Sequence, residues 1–255
     1  MSASDVTDAC GSSPLPRTAV VIPVLNERES LPLVVGAIPK GLVDEIVVVD
    51  NGSTDGTAEI AGGLPVRLVR EARRGYGSAC LAGVAALAPR PPEVLVFLDG
   101  DFSDHPEEMG RLLSAIGSGA DLVIGSRTLG EREPGALLPQ ARLGNALACR
   151  LILWLTGHRF TDLGPFRAIR WDAYRRLGMR DRSFGWTCEM QIQAVRAGLS
   201  IAEVPVSYRR RVGVSKITGT VGGTLRAGSK ILWTIARYGI LRGSGVRAPT
   251  PPRSG

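Results

Sequence analysis

Apolar runs of strand length alternate with segments of helix length, and this alternation predicts an α/β fold with a mostly parallel central sheet flanked by helices. Two further observations support it. The runs DEIVVVD at 44–50 and VLVFLD at 94–99 are continuous rather than alternating, the pattern of strands covered on both faces. Each run then ends in a polar loop, and loops at the carboxyl ends of parallel strands are where such folds bind ligands.

Residues 18–24 form an apolar strand ending near Pro23, and residues 28–38 carry a helical pattern. The second strand, 44–50, leads into the turn NGSTDGT, and a short helix opens at Thr57 and runs to 62. Residues 66–70 are a third strand and 76–87 a helix of small residues. The fourth strand ends at Asp99, and Pro106 near the start of 106–116 suits the first turn of a helix. A fifth strand follows at 121–126. Beyond residue 130 the pattern loosens: 138–155 and 186–197 read as helices and 201–208 as a strand.

With 255 residues, 44% of them hydrophobic, the chain can bury a large core, which excludes disorder throughout. Cys10, Cys80, Cys149 and Cys188 lack CxxC spacing, so neither a zinc cluster nor a disulfide framework is expected. No basic segment followed by an apolar run opens the chain, and no apolar run reaches the ~18 residues of a spanning helix. We therefore expect a cytoplasmic protein. The net charge is +7, yet ten basic residues and no acidic one follow Glu203, which leaves residues 1–203 at −3. A basic end on a mildly acidic body suits an anionic partner, although a solubilising tail would look the same.

The chemistry concentrates at strand ends. In LDGD, Asp99 and Asp101 are separated by Gly100, so two carboxylates approach one hard cation on a tight backbone path. Mg2+ or Mn2+ takes such a pair and completes its shell with substrate phosphate oxygens. A turn with an Asp cap before Pro106 is the plainer alternative. In the 50–56 loop, Asp50 and Ser53 suit a ribose or a base, and the same residues also suit a turn and a helix cap. The loop is not a phosphate loop of the GxxxxGK[ST] kind. Residues 73–77 give half of a GxGxxG, a basic glycine-rich loop opening a helix. His105 and His158 are the two histidines; His105 is read as a surface residue at a helix start or a support to the metal site.

In order along the chain stand VVIPVLNE, VVVDNGSTDGT, RRGYGSA, FLDGDFSDHPE, VIGSR, TDLGPFRAIR, FGWTCEMQIQA and RRRVGVSK. Together, over residues 17–216, they resemble family 2 glycosyltransferases, most closely the dolichol-phosphate and polyprenyl-phosphate sugar synthases. The resemblance implies a GT-A fold with a Rossmann-like sheet, an inverting reaction and a divalent metal. It implies that Pro23, Asn26, Glu27, Asp50, Ser53 and Gly77 hold the donor nucleotide, with Gly100. Asp99 and Asp101 would bind the metal and diphosphate. Arg127, Arg167, Arg211, Ser215 and Lys216 would meet phosphates. Two motifs depart from the usual pattern: FSDHPE replaces the common LQHPP, and LGPFR replaces TSGFR. Both departures bear on the acceptor more than on the donor.

The sequence thus predicts transfer of a hexose from a UDP- or GDP-sugar to a polyprenyl or dolichyl phosphate. The alternative is a soluble or hydroxyl acceptor, with Glu189 or Asp162 as general base. Glu189 could equally pair with the arginines at 209–211. A non-catalytic binding module is disfavoured by the intact DGD, and a nucleic-acid binder by the absence of any recognition motif. The domain at 17–216 is expected to follow a flexible arm at 1–16 and to precede a basic amphipathic helix at 217–242 and a disordered tail at 243–255. In that helix Arg226, Lys230 and Arg237 share a stripe with Trp233, opposite Leu225, Ile231, Leu232 and Ile235. Such a helix suits an anionic membrane surface, at the cytoplasmic face, or packing on the domain.

Overall fold

The computed structural model describes residues 16–213, 233–235 and 237. The expected arm up to residue 15, Ser215, Lys216, most of the expected C-terminal helix and the tail at 243–255 lie outside the described residues.

Seven strands form one sheet in the order β3-β2-β1-β4-β6-β5-β7. They are β1 (Thr18–Val24), β2 (Glu45–Asp50), β3 (Arg67–Arg70), β4 (Val94–Phe97), β5 (Leu122–Ser126), β6 (Arg167–Arg170) and β7 (Ile201–Pro205). The helices are α1 (Leu31–Ala37), α2 (Thr57–Gly62), α3 (Tyr76–Leu87), α4 (Met109–Gly117), α5 (Pro139–Thr156), α6 (Trp171–Leu177) and α7 (Trp186–Arg196). All neighbouring strands pair in parallel except β6, which runs antiparallel to both β4 and β5.

Side chains of a strand alternate between faces, and here both faces are covered. On one face Ala19, Val21, Val49, Leu95 and Phe97 pack with α3, α5, α6 and α7. On the other, Val20, Ile22, Val48, Val94 and Val96 pack with α1 and α4. That is why all seven residues of β1 are buried and why its sequence shows no alternation. Pro23 has no N–H to give a ladder, and it lies beyond the last β1–β4 pair, Val21 with Phe97.

The helix expected at 106–116 begins as a 3-10 turn, Pro106–Glu108, before α4. Strand β6 and helix α6 were not expected as elements: RAIR is four residues long with arginine at both ends, so no periodicity reveals it. Near the end of the chain the described residues are helical, with Trp233 and Arg237 exposed and Thr234 and Ile235 buried.

Candidate active site

The carboxyl ends of β1, β2 and β4 open on a cleft of about 440 Å³. Pro23, Glu27, Asn51, Tyr76, Asp99, Gly100, Asp101, Phe184 and Arg211 are among the residues that line it.

Its floor is DGD. A side chain at Gly100 would place a Cβ 2.6 Å from Val24 Cγ1, so only glycine lets this turn lie against β1. The next turn is held by a left-handed residue, Phe102 (φ 61), whose ring carries the Arg209 guanidinium at 3.7 Å. Asp101 Oδ1 then accepts from the Ser103 N–H at 2.9 Å and from its hydroxyl. Asp101 Oδ2 faces Arg211 at 3.2 Å, and the same Arg211 nitrogen reaches Glu27 at 3.2 Å. Arg211 therefore spans the cleft from β1's loop to the DGD turn. The segment 209–212 is anchored there by backbone bonds, Arg209 N–H to Ser103 C=O and Val212 N–H to Asp101 C=O.

Asp99 Oδ1 is shut off from solvent with no hydrogen-bond partner. Desolvation, and then the Asp101 charge, push the Asp99 carboxyl up to about 7. Asp104 lies deeper, both its oxygens buried and unpartnered, and burial followed by Asp99 and Asp101 holds it well above the carboxylate range. An oxygen-only set with unsatisfied carboxylate oxygens fits a hard divalent cation. Among the described residues no three His, Cys, Asp or Glu side chains converge as a complete cage. Asp99 and Asp101 thus fit an ion whose remaining ligands come from a bound diphosphate. His105 Nδ1 meets Glu107 at 2.9 Å.

Of the rest of the expected nucleotide set, Pro23 and Glu27 line the cleft, while Asn26, Asp50 and Ser53 knit the adjoining loops. Asn26, itself left-handed (φ 55), receives the Thr54 N–H on its side-chain oxygen at 2.7 Å and donates its own N–H to Ser53 Oγ at 2.9 Å. Asp50 accepts from the Ser53 N–H at 3.0 Å, and the Glu27 N–H donates to Thr57 at 2.8 Å. Asn51 was not singled out from sequence, yet it ties its own loop to the one between β3 and α3: it donates to the Glu71 and Arg73 carbonyls and accepts from the Gly75 N–H. Gly77 is buried against the backbone of Asp181 and Arg182 rather than on the cleft surface.

The remaining expected residues are held away from the cleft lining. Arg127 makes a bidentate pair with the fully buried Asp162, at 2.8 and 2.7 Å, and lies 5.1 Å from the Tyr208 ring. Arg167 is fully buried and donates to the carbonyls of Leu163, Gly164 and Thr187. Glu189, also fully buried, accepts from the N–H groups of Arg180 and Asp181. Among the cleft residues, Arg74, Tyr76, Ser183 and Phe184 were not named as site residues, although Arg74, Tyr76 and Phe184 stand inside motifs that were noted.

A family model described as glycosyl transferase family 2 matches residues 19–178. An uncharacterised glycosyltransferase of Mycobacterium tuberculosis is 41% identical over 214 residues, covering 82% of this chain and 93% of that protein. The polyprenol monophosphomannose synthase of Mycolicibacterium smegmatis is 34% identical over 223 residues, covering 81% of this chain and 83% of that protein. Among solved structures, glucosyl-3-phosphoglycerate synthase of M. tuberculosis, in complex with Mn2+, UDP-glucose and phosphoglyceric acid, superposes with a TM-score of 0.70. It is 24% identical, with 91% of this chain and 82% of that one covered, and it shares the GT-A fold.

Proposed function

The chain belongs to glycosyl transferase family 2 and is a glycosyltransferase, and from that premise we propose that it moves a hexose, with inversion, from a UDP- or GDP-sugar to a polyprenyl phosphate. The observation that carries the reading is the cleft floor. Asp99 and Asp101, one with an unpartnered oxygen, stand at the end of β4 opposite a single arginine, Arg211, that bridges both walls. The M. smegmatis relative, by its name, makes polyprenol monophosphomannose.

Asp99 and Asp101 would hold Mg2+ or Mn2+, which when bound neutralises the charge of a departing diphosphate. The protein's own residues do the positioning. The loops knitted by Asn26, Asp50, Asn51 and Ser53 hold the nucleoside end. Arg211, once released from Asp101, is placed to pair with a phosphate, a geometry guanidinium suits. A phosphate monoester is already anionic near neutral pH, since its second pKa is about 6, so it attacks without a general base. The buried positions of Asp162 and Glu189 support that acceptor: each has its carboxylate committed, to Arg127 and to backbone amides respectively. The hydroxyl-acceptor alternative needs one of them free.

A lipid-borne acceptor implies work at a membrane, at the cytoplasmic face where nucleotide sugars reside. No helix among the described residues is long and apolar enough to cross one. The test is a donor and acceptor screen. The full chain is incubated with Mn2+ or Mg2+, each of several UDP- and GDP-hexoses and a short polyprenyl phosphate, and products are read by mass. Mannose transferred from GDP-mannose to the lipid phosphate, with GDP released, is the first expected result. Transfer to soluble hydroxyl acceptors alone would overturn the reading.

A further inference from the structure

Glu189 sits in the first turn of α7 with its carboxylate out of solvent, and three short contacts tie it to the segment before that helix. Oε1 and Oε2 accept from the Arg180 N–H at 3.1 and 3.0 Å, and Oε2 also accepts from the Asp181 N–H at 2.7 Å. A buried carboxylate is tolerated when backbone N–H groups compensate it. The two amides it holds belong to the segment that crosses the mouth of α3. There the Arg182 carbonyl accepts from the Ser78 N–H at 3.1 Å. A Cβ at Gly75 would collide with the Arg182 carbonyl oxygen, and a Cβ at Gly77 with that of Asp181. The GYG motif is therefore cut to receive this segment. From the other side, Thr234 Oγ1 donates to Asp181 Oδ2 at 3.3 Å. The two residues that follow Arg182, Ser183 and Phe184, line the cleft across from Asp99 and Asp101.

We infer that Glu189 is a positioning residue: its carboxylate straps residues 180–184 onto the first turn of α3 and thereby fixes the Ser183–Phe184 wall of the donor cleft. The inference rests on the reading of that cleft as the nucleotide-sugar site. It replaces a proton-transfer role with a mechanical one. The two roles demand opposite things of a substitute. A strap needs an acceptor oxygen at the full length of glutamate, which Gln keeps and Asp does not. A base needs a carboxylate, which Asp keeps and Gln does not.

The experiment measures UDP and GDP binding by calorimetry in Mn2+, and donor KM, kcat and the pH–rate profile, for the full chain and for Glu189→Gln, Glu189→Asp and Glu189→Ala. The expected order of retained nucleotide affinity is Gln above Asp and Ala. Gln should lose about threefold and Ala about 10- to 100-fold, the range for stranding a buried N–H pair. The pH–rate profile of Glu189→Gln should keep its shape. Asp retaining more kcat than Gln, with nucleotide affinity unchanged and a limb of the pH profile gone, would overturn the inference. Hydrogen exchange on the unmodified protein gives an independent reading should the variants not fold. The Arg180 and Asp181 amides should exchange as slowly as α7, and UDP or GDP should slow 180–184 further; exchange at free-loop rates would overturn the strap. Binding of neither nucleotide by the unmodified protein would instead sink the donor-site reading itself.

Discussion

Asp99 carries an oxygen with no partner and faces Asp101 two residues on, so its carboxyl is pushed up to about 7 by desolvation and then by that neighbour. The sign of the consequence follows. The folded protein holds the proton over a window, from about 4 to about 7, in which the unfolded chain has lost it. Stability from this site is present at low pH and is lost as pH rises through 7. Asp99→Asn should therefore raise the melting temperature of the metal-free protein at pH 8, with little change at pH 4, and abolish transfer at both. A melting temperature unchanged at pH 8 would contradict the assigned environment. Cation binding needs the ionised carboxylate, so Mn2+ affinity should fall, with proton uptake, below pH 7. Asp101→Ala should remove transfer and leave the fold, because Asp101 lies on the cleft rather than in either core cluster. For the acceptor, Arg211→Ala should be severe with a lipid phosphate, on the order of 2–5 kcal/mol in kcat/KM, and Asp162→Asn should act mainly on stability by stranding Arg127. A silent Arg211→Ala beside a collapse of activity on Asp162→Asn would favour the hydroxyl acceptor. At this scale the sequence showed which residues stand at strand ends, since a strand's end is local. It did not show that Asn51 ties its loop to residues 71–75, or that Glu189 holds residues 180 and 181, because such partners are set by packing.

The elements read most clearly were those with a long uniform pattern. Helix α3 coincides with the residues expected, 76–87, and β1 with 18–24, because small-residue and continuous apolar patterns there are long. Strand β4 stops at Phe97 rather than Asp99, since β1 offers it no pair beyond Val21. Strand β6 stayed hidden because tertiary pairing, not local pattern, makes it a strand: it lies between β4 and β5, with Phe97 opposite Arg167 and Leu122 opposite Ile169. Helix α4 shows how an element supports the site without joining it. Met109, Leu112 and Ile116 are its buried stripe, facing Val94 and Val96 on the sheet. Leu112→Ala should cost about 2–5 kcal/mol of stability through the cavity left behind. Measured by denaturant unfolding, that loss should accompany an unchanged donor KM in the folded protein. A donor KM that shifts as strongly as the stability would mean that α4 shapes the cleft, contrary to its packing on the opposite layer.

On the scale of the whole molecule, one helix is built differently from the rest. One side of α5 is core: Ala148, Cys149, Ile152 and Leu155 are buried. The other presents Leu143, Leu147 and Trp154 to solvent, 73%, 48% and 79% exposed, and Arg150 falls on the same stripe at helical spacing. Apolar side chains laid out in this way are costly in water and suit the headgroup boundary of a bilayer, where Trp and Leu enter and Arg stays at the phosphates. The helix is joined to the site's surroundings, since Asn145 accepts from the Leu163 N–H and donates to the Thr161 carbonyl beside Asp162. The polyprenyl phosphate proposed as acceptor would reside in such a bilayer. The sequence pointed instead to the basic helix at 217–242, because charge is visible in a sequence and exposure is not. Both surfaces can be weighed in one assay. The full chain is sedimented with anionic and with neutral vesicles over a salt series. Binding to anionic vesicles should weaken with salt, as exposed charges are screened over about 10 Å at 0.1 M. Trp154→Glu should weaken it at every salt concentration, because it removes insertion rather than attraction. Replacing Arg226 and Lys230 should instead flatten the salt dependence. Equal binding to both vesicle types, or none to either, would remove the membrane from the account. A Trp154→Glu protein that binds as tightly as the unmodified one would shift the anchor to the basic residues at 217–242.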